Sequence, residues 1–152
     1  MRLIQPDISL KKLNTFGIDV KAKYFASFQT EKELISVLGE VELLIKHDFS
    51  KLLFLGSGSN ILFTKDFDGV ILKNEIAGIQ VVHEDDEFVY VTAGAGVIWH
   101  DFVEFCIANN FGGVENLSLI PGTVGASPIQ NIGAYGVELK DTLFSLRALD
   151  IV

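Results

Sequence analysis

KLLFLGSGSNILF, residues 51–63, sets a glycine-rich loop between two short apolar runs. Apolar runs of this length bounded by turn residues are typical of buried strands. The pattern therefore predicts a strand, a loop and a second strand over residues 61–64. Glycine lets the loop backbone reach positive φ, so that successive N–H groups can converge on one anion. Ser57, Ser59 and Asn60 add polar side chains to the same loop.

A pyrophosphate suits such a loop, although an ordinary hairpin turn is the favoured explanation of the loop taken alone, since Gly, Ser and Asn are the usual turn residues. The loop is not a Walker loop, since no Gly-Lys-Ser/Thr follows it. It is also not the Rossmann fingerprint, since no Gly-x-Gly-x-x-Gly opens a helix. The common adenine-nucleotide folds are therefore disfavoured.

Helical and strand patterns flank this loop on both sides. Thr30 and Glu33 have the spacing of a capping box, and the apolar residues that follow share one face, which predicts a helix over residues 31–47. A second helix is predicted over residues 97–109, where Gly112 and Gly113 supply the stop. Further strands are predicted over residues 69–73, 143–152 and, as a hairpin across the acidic turn 84–87, over 78–83 and 88–92.

A second glycine system, IPGTVGASPIQNIGAYG, spans residues 120–136. Its small residues allow close approach, and Ser127, Gln130 and Asn131 offer polar recognition. A flat aromatic ring with polar edges suits it. A packing corner in which glycines merely allow chain crossings explains it equally well.

Composition excludes several classes of function. The 152 residues are 49% hydrophobic and 21% charged, which is typical of a folded domain. A net charge of −8 opposes nucleic-acid binding. The single cysteine, Cys106, favours a reducing compartment and hence the cytoplasm. No apolar stretch approaches the roughly 18 residues of a membrane span, and no signal peptide is predicted.

Residues with possible chemistry have simpler interpretations. His100, beside Trp99 on a predicted helix, is interpreted as structural. Cys106 lies on the apolar helical face and is assigned to the core. The acidic residues 84–87 are interpreted as a solvated turn, and no metal site is predicted.

Four motifs, by their order and spacing, resemble the signatures of UDP-N-acetylenolpyruvoylglucosamine reductases. They are NTFGID at residues 14–19, GSGSNILF at 56–63, AGAGVIWH at 93–100, and GVENLSLIPGTVGASPIQNIGAYGVEL at 113–139. The last motif is specific to that family. The glycine loop is shared with the wider group of FAD proteins of the vanillyl-alcohol-oxidase or PCMH type.

The resemblance implies an α+β, two-lobed FAD-binding fold. It assigns residues 1–76 to a first lobe and residues 77–152 to an incomplete second lobe, with the substrate-binding third domain absent. It assigns the FAD pyrophosphate to Gly56, Ser57, Gly58, Ser59 and Asn60, with Ile61 beside them. It assigns the flavin and ribityl chain to Pro121, Gly122, Gly125, Ser127, Ile129, Gly133, Ala134 and Tyr135.

The resemblance also implies a function. In that family NADPH reduces FAD, and the flavin passes hydride to the enolpyruvyl group of a UDP-sugar, which yields UDP-N-acetylmuramate for bacterial peptidoglycan. The family's catalytic arginine, serine and glutamate are expected beyond residue 152, so no catalytic residue is assigned and the chain alone is expected to be inactive. An unpaired C-terminal strand is expected to promote self-association. Another FAD oxidoreductase of this fold and a non-catalytic nucleotide-binding module remain as alternatives.

Overall fold

The structure is a computed structural model that describes residues 4–151. Its strands are β1 (Gln5–Ser9), β2 (Lys21–Phe28), β3 (Leu52–Leu55), β4 (Phe67–Asn74), β5 (Ile79–Glu84), β6 (Val89–Ala93), β7 (Gly133–Ala134) and β8 (Val137–Glu138). Its helices are α1 (Glu31–Ile45), α2 (Trp99–Ala108) and α3 (Ser127–Gln130), with 3-10 turns at Phe49–Lys51, Glu115–Leu117, Val124–Ala126 and Leu139–Asp141. No helix among the described residues is long and apolar enough to cross a membrane.

A four-stranded sheet in the order β1-β2-β4-β3 forms the first packed unit. Strand β4 runs parallel to both β2 and β3, and β1 pairs antiparallel with β2 at the edge. Val70, Ile71 and Leu72 of β4 are fully buried. Parallel strands covered on both faces carry continuous apolar runs, which explains this segment of β4.

The two faces of this sheet are covered differently. Successive side chains of a strand point to opposite faces, so Val70 and Leu72 meet helix α1 through Val37 and Val41. Ile71 packs on the other face in a cluster that includes Leu10, Val20, Leu55 and Phe63. The sheet with α1 is called the sheet unit below.

Helix α2 and the loops after it form a second packed unit around Trp99. The Trp99 indole N–H donates to the Leu117 carbonyl oxygen at 2.7 Å, and Val103 and Leu139 are buried in the same cluster. Cys106 is buried there too, and burial raises the pKa of its thiol. This confirms the assignment of Cys106 to the core. Helix α2, α3, β7, β8 and the turns among residues 111–141 are called the loop unit.

Local signals predicted several elements correctly. Thr30 Oγ1 accepts from the Glu33 N–H at 3.1 Å and begins α1, which ends at Ile45, two residues before the predicted end. Helix α2 and the β5–β6 hairpin are also confirmed, with slightly different bounds. The predicted join between lobes near residue 76 falls between β4 and β5, and the division into lobes stays a prediction.

Two predicted strands are wrong. Residues 61–64 form no strand, because parallel pairing of β3 with β4 requires a crossover between them, and these residues belong to it. Residues 143–151 form no strand either, and Val152 lies outside the described residues. This segment instead makes side-chain contacts, including Phe144 against Tyr90, with ring centroids 5.1 Å apart. The expected self-association was based on an unpaired strand that these residues do not form, and it stays a prediction.

Two strands were missed by the sequence analysis. Strand β1 has no alternation of apolar residues to mark it. Strand β2 buries Ala22, Ala26 and Phe28 on alternate positions, but two of these are alanines with little strand preference.

Replacing Leu72 by Ala is expected to lower the free energy of unfolding by about 2–5 kcal/mol, because it leaves a cavity in the most buried strand. The same change at Leu43, which is 80% exposed on α1, should alter it by less than about 0.5 kcal/mol. Urea unfolding measures both. Equal losses for the two variants would contradict the position given to β4.

Candidate functional site

A cleft of about 470 Å³ opens at the carboxyl ends of the parallel strands β3 and β4. Small-molecule sites commonly have volumes of about 300–1,000 Å³, and open α/β sheets bind ligands at the carboxyl ends of their strands. Strand β3 delivers Gly56 and Ser57 to the cleft, and the end of β4 delivers Lys73, Asn74 and Glu75. The cleft therefore lies where elementary rules of sheet architecture expect a ligand.

The glycine loop after β3 is held by close backbone contact with the chain ahead of β2. Gly58 has φ +69°, and a Cβ there would overlap the Leu13 carbonyl oxygen. The Thr15 N–H donates to the Gly58 carbonyl oxygen at 3.2 Å. Buried Asn14 fixes this neighbouring segment, because its side chain donates to Leu10 and Ile18 carbonyl oxygens and accepts from the Ile18 N–H. The NTFG motif thus supports the glycine loop from behind.

Within residues 4–151, the backbone N–H groups of residues 57–60 find no acceptor in the protein. None of the hydrogen bonds among residues 4–151 uses the backbone N–H groups of residues 57–60 as donors. Ser57 and Ser59 are half-buried and Asn60 is exposed, so N–H groups of this loop are open to a ligand or to water. Successive free N–H groups in a glycine turn are suited to an anion.

The opposite wall of the cleft comes from the second glycine system and the segment before α2. Gly96, Ile98 and Thr123 line it. Thr123 is held by a two-residue bridge to Ile98, with the Val124 N–H donating to the Val97 carbonyl oxygen at 2.9 Å. The two glycine systems thus face each other across one cleft.

Direct contacts also join the two glycine systems. A Cβ at Gly56 would lie 2.8 Å from Thr123 Oγ1, so only glycine fits there without a shift. The Asn60 side chain donates to Gln130 Oε1 at 3.2 Å. Residues far apart in sequence are therefore brought to one site.

Lysines and one carboxylate set the charge of the cleft. Lys73 Nζ lies 2.6 Å from Glu75 Oε1, and this hydrogen bond lowers the pKa of Glu75 against the opposing effect of burial. Lys12 also lines the cleft and has no ion-pair partner among the described residues. The rim of the cleft therefore offers a free cation within an acidic chain.

The residues predicted to bind the pyrophosphate lie in different surroundings. Gly56 and Ser57 line the cleft, whereas Gly58 is buried behind it. Ser59 accepts from the Ser57 hydroxyl at 3.0 Å. Ile61 packs into the hydrophobic cluster around Ile71, on the face of the sheet opposite α1.

The residues predicted for the flavin and ribityl chain are more scattered. Pro121, Gly122 and Ser127 line a narrow pocket of about 10 Å³ beside Trp99, which has room for about one water molecule. The remaining five lie outside both pockets: Gly125 packs on Ala95, Gly133 and Ala134 form β7, and Ile129 and Tyr135 are 87% and 90% exposed. The assignment of all these residues to FAD stays a prediction.

Several cleft residues had no role in the sequence analysis. They are Lys12, Leu13, Gln29, Lys73, Asn74, Glu75, Gly96, Ile98 and Thr123. Gly96 and Thr123 lie inside motifs identified from the sequence, at residues 93–100 and 120–136. The sequence of a motif does not show which of its residues line a cleft and which are buried in the core. A prediction that β3 and β4 are parallel would have indicated residues 73–75, because ligands bind at the carboxyl ends of parallel strands.

His100 and the acidic turn make local contacts. The two ring nitrogens of His100 lie 3.2 Å from Ser118 Oγ and 3.4 Å from Glu104 Oε1, which ties α2 to the following loop. Asp85 accepts from the N–H groups of Glu87 and Phe88, and these bonds lower the pKa of Asp85. Within residues 4–151, no cluster of three or more His, Cys, Asp and Glu is suited to a metal ion.

Residues 22–151 match the FAD binding domain family, and the chain belongs to that family. The cofactor expected from the sequence, FAD, is thereby confirmed at the level of the family.

Within that family the chain is similar to UDP-N-acetylenolpyruvoylglucosamine reductases. It is 49% identical over 148 residues to the enzyme of Flavobacterium johnsoniae, covering 97% of this chain and 42% of that protein. It is 50% identical over 143 residues to the enzyme of Bacteroides fragilis, covering 94% of this chain and 42% of that protein. The chain thus spans about 42% of the length of these curated relatives.

A solved structure shows the same fold. The crystal structure of UDP-N-acetylenolpyruvylglucosamine reductase from Thermus caldophilus superposes with a TM-score of 0.66 at 20% identity, covering 91% of this chain and 46% of that one. The predicted α+β FAD-binding fold is therefore confirmed.

The stability of the chain is expected to fall in acid partly through Glu75. The pKa of Glu75 is lowered in the folded chain. Ionised Glu75 therefore contributes fully to the free energy of unfolding above the unfolded-state pKa of about 4.3, and this contribution is lost as the pH falls through the folded-state pKa. Glu75→Gln should therefore lose less stability than the parent between about pH 6 and about pH 3. Glu40→Gln, on the exposed side of α1, is the control and should follow the parent in urea unfolding.

Proposed function

We propose that this chain is the FAD-binding part of a reductase that converts UDP-N-acetylglucosamine enolpyruvate to UDP-N-acetylmuramate in peptidoglycan synthesis. Relatives that are 49% and 50% identical in sequence to this chain carry the name of that reductase. FAD, once reduced by NADPH, supplies the hydride for such a reaction. The residues of this chain bind and orient the cofactor, and we propose the bacterial cytoplasm as the compartment.

The unpaired N–H groups of residues 57–60 carry the proposal that the cofactor's pyrophosphate binds at the glycine loop. They lie beside Gly56 and Ser57, which line the cleft at a strand end. A glycine loop lets the backbone come within hydrogen-bond distance of a phosphate, and N–H dipoles stabilise negative charge without a counter-ion. Lys12 at the rim adds attraction over a longer range.

The second glycine system is proposed to hold the flavin and ribityl chain through the residues assigned to them. Two features support this proposal. Thr123 of this system faces Gly56, and Gln130 bonds to Asn60, so a ligand anchored at the loop would extend along this wall. Ile129 and Tyr135 of the same system present exposed apolar surface, against which a large planar ring could pack.

The isolated chain is expected to bind FAD, and Gly58→Ala should weaken that binding at least tenfold. A Cβ at Gly58 meets Leu13 backbone and the φ of +69° disfavours it, so the loop must move. Titration followed by flavin fluorescence measures the dissociation constant, at a temperature where circular dichroism shows each variant folded.

Gly39→Ala is the matched control, because Gly39 lies in α1 with open space around it. That change should stabilise the chain by about 0.5–1 kcal/mol and leave FAD affinity unchanged. Lys12→Met should weaken binding only a few-fold, since a rim charge is screened by salt. If Gly58→Ala bound FAD as the parent does and Lys12→Met did not, a lysine rather than the backbone would hold the phosphate.

The complete gene product is expected to oxidise NADPH rapidly only when UDP-N-acetylglucosamine enolpyruvate is present. Absorbance of NADPH measures the rate with and without that substrate. Equal rates under both conditions would favour another FAD oxidoreductase of this fold. Bound FAD with no oxidation of NADPH in either case would favour a non-catalytic module.

A further inference from the structure

The first residue of α2 holds the chain that leads into the second glycine system. The Trp99 indole N–H donates to the Leu117 carbonyl oxygen at 2.7 Å, and the Trp99 backbone N–H donates to the Gly122 carbonyl oxygen at 3.1 Å. Trp99 is only 2% exposed, so its position is set by the surrounding core. Residues 118–121 therefore form a short loop between two points that are both fixed by Trp99.

His100, the next residue of α2, contacts this loop directly. Its Nδ1 accepts from the Leu119 N–H at 3.4 Å and lies 3.2 Å from Ser118 Oγ. A backbone N–H can only donate, so Nδ1 carries no proton and the proton of the neutral ring is on Nε2. Nε2 lies 3.4 Å from Glu104 Oε1, one turn further along α2. Glu104 thus orients the ring so that Nδ1 faces the loop as an acceptor.

Leu119 depends on such an acceptor because its backbone is strained. Its φ is +62°, in the left-handed region that leucine rarely adopts. The Leu119 side chain is 75% exposed, so burial of that side chain does not offset the strain. Strained conformations of this kind persist only where the surrounding structure holds them. The hydrogen bond to His100 is the contact that holds the backbone at the entrance to the second glycine system.

We propose that His100 is a positioning residue: by holding Leu119 in its left-handed conformation, it places Pro121 and Gly122 for the bound cofactor. The inference rests on the proposed function, which assigns these two residues to the flavin and ribityl chain. His100 lines neither of the two pockets described above, so it acts through the loop rather than by contact with the cofactor.

His100→Asn and His100→Gln separate this role from general packing. Asparagine places its side-chain oxygen where Nδ1 lies, whereas glutamine places its amide further from the backbone, near the position of Nε2. The His100 side chain is 33% exposed, so both polar variants are expected to fold, which circular dichroism checks. We expect His100→Asn to bind FAD within about twofold of the parent and His100→Gln to bind about three- to tenfold more weakly, the range for one lost hydrogen bond. His83→Gln, exposed on β5, is the matched control and should bind FAD as the parent does.

A second substitution tests whether the effect passes through Leu119. Asparagine adopts the left-handed conformation more readily than leucine, and Leu119→Asn keeps the backbone N–H. In the Leu119→Asn background, His100→Gln should therefore weaken FAD binding by less than about twofold. A merely structural role of His100 predicts the same loss in both backgrounds, because the effects of uncoupled substitutions add.

Hydrogen exchange of the Leu119 amide, measured without ligand, gives a readout that does not depend on FAD. Exchange in His100→Gln should be at least about threefold faster than in the parent and in His100→Asn. Equal exchange in all three, equal FAD affinity of the two His100 variants, or an equal loss in both Leu119 backgrounds would overturn the role of His100 and leave the proposed function intact. Failure of the parent to bind FAD, with exchange in the expected order, would overturn the proposed function and the link to the cofactor while the contact between His100 and Leu119 stands.

Discussion

Close packing at two glycines, Gly56 and Gly96, holds the segments that line the cleft against one another. A Cβ at Gly96 would lie 2.7 Å from backbone atoms of Glu75, and at Gly56 it would meet Thr123 at 2.8 Å. Close-packed interiors do not absorb such an added group without movement. These glycines therefore fix the distance between the segments that line the cleft at the carboxyl ends of β3 and β4.

The charge of the chain bears on the proposed binding of phosphate by backbone donors at this cleft. A net charge of −8 repels an anionic dinucleotide at long range, and Lys73 is already paired with Glu75. Free N–H groups provide positive ends of dipoles that need no counter-ion and cannot be neutralised by a neighbouring carboxylate. They are also insensitive to pH, so the proposed recognition of phosphate by the backbone would not depend on the protonation state of a side chain.

The comparisons agree on the fold at very different levels of sequence similarity. Relatives near 49% identity cover nearly the whole chain, and a solved reductase at 20% identity still has the same fold. A fold can persist at such identity because it depends on burial pattern and on a few close contacts. Here those are the buried strand β4 and the glycines at the meeting of the two units.

Short-range signals in the sequence predicted α1 through its Thr30 cap, α2 through its apolar spacing, the hairpin through its acidic turn, and both glycine loops. The remaining features depend on contacts between distant segments. Parallel pairing of β4 with β2 and β3 leaves no local mark in sequence, which is why residues 61–64 were mistaken for a strand. Alternation in residues 143–151 likewise could not show whether a partner strand was in reach. The meeting of Gly56 with Thr123 depends on packing between segments that are distant along the chain, and such packing is a property of the whole fold.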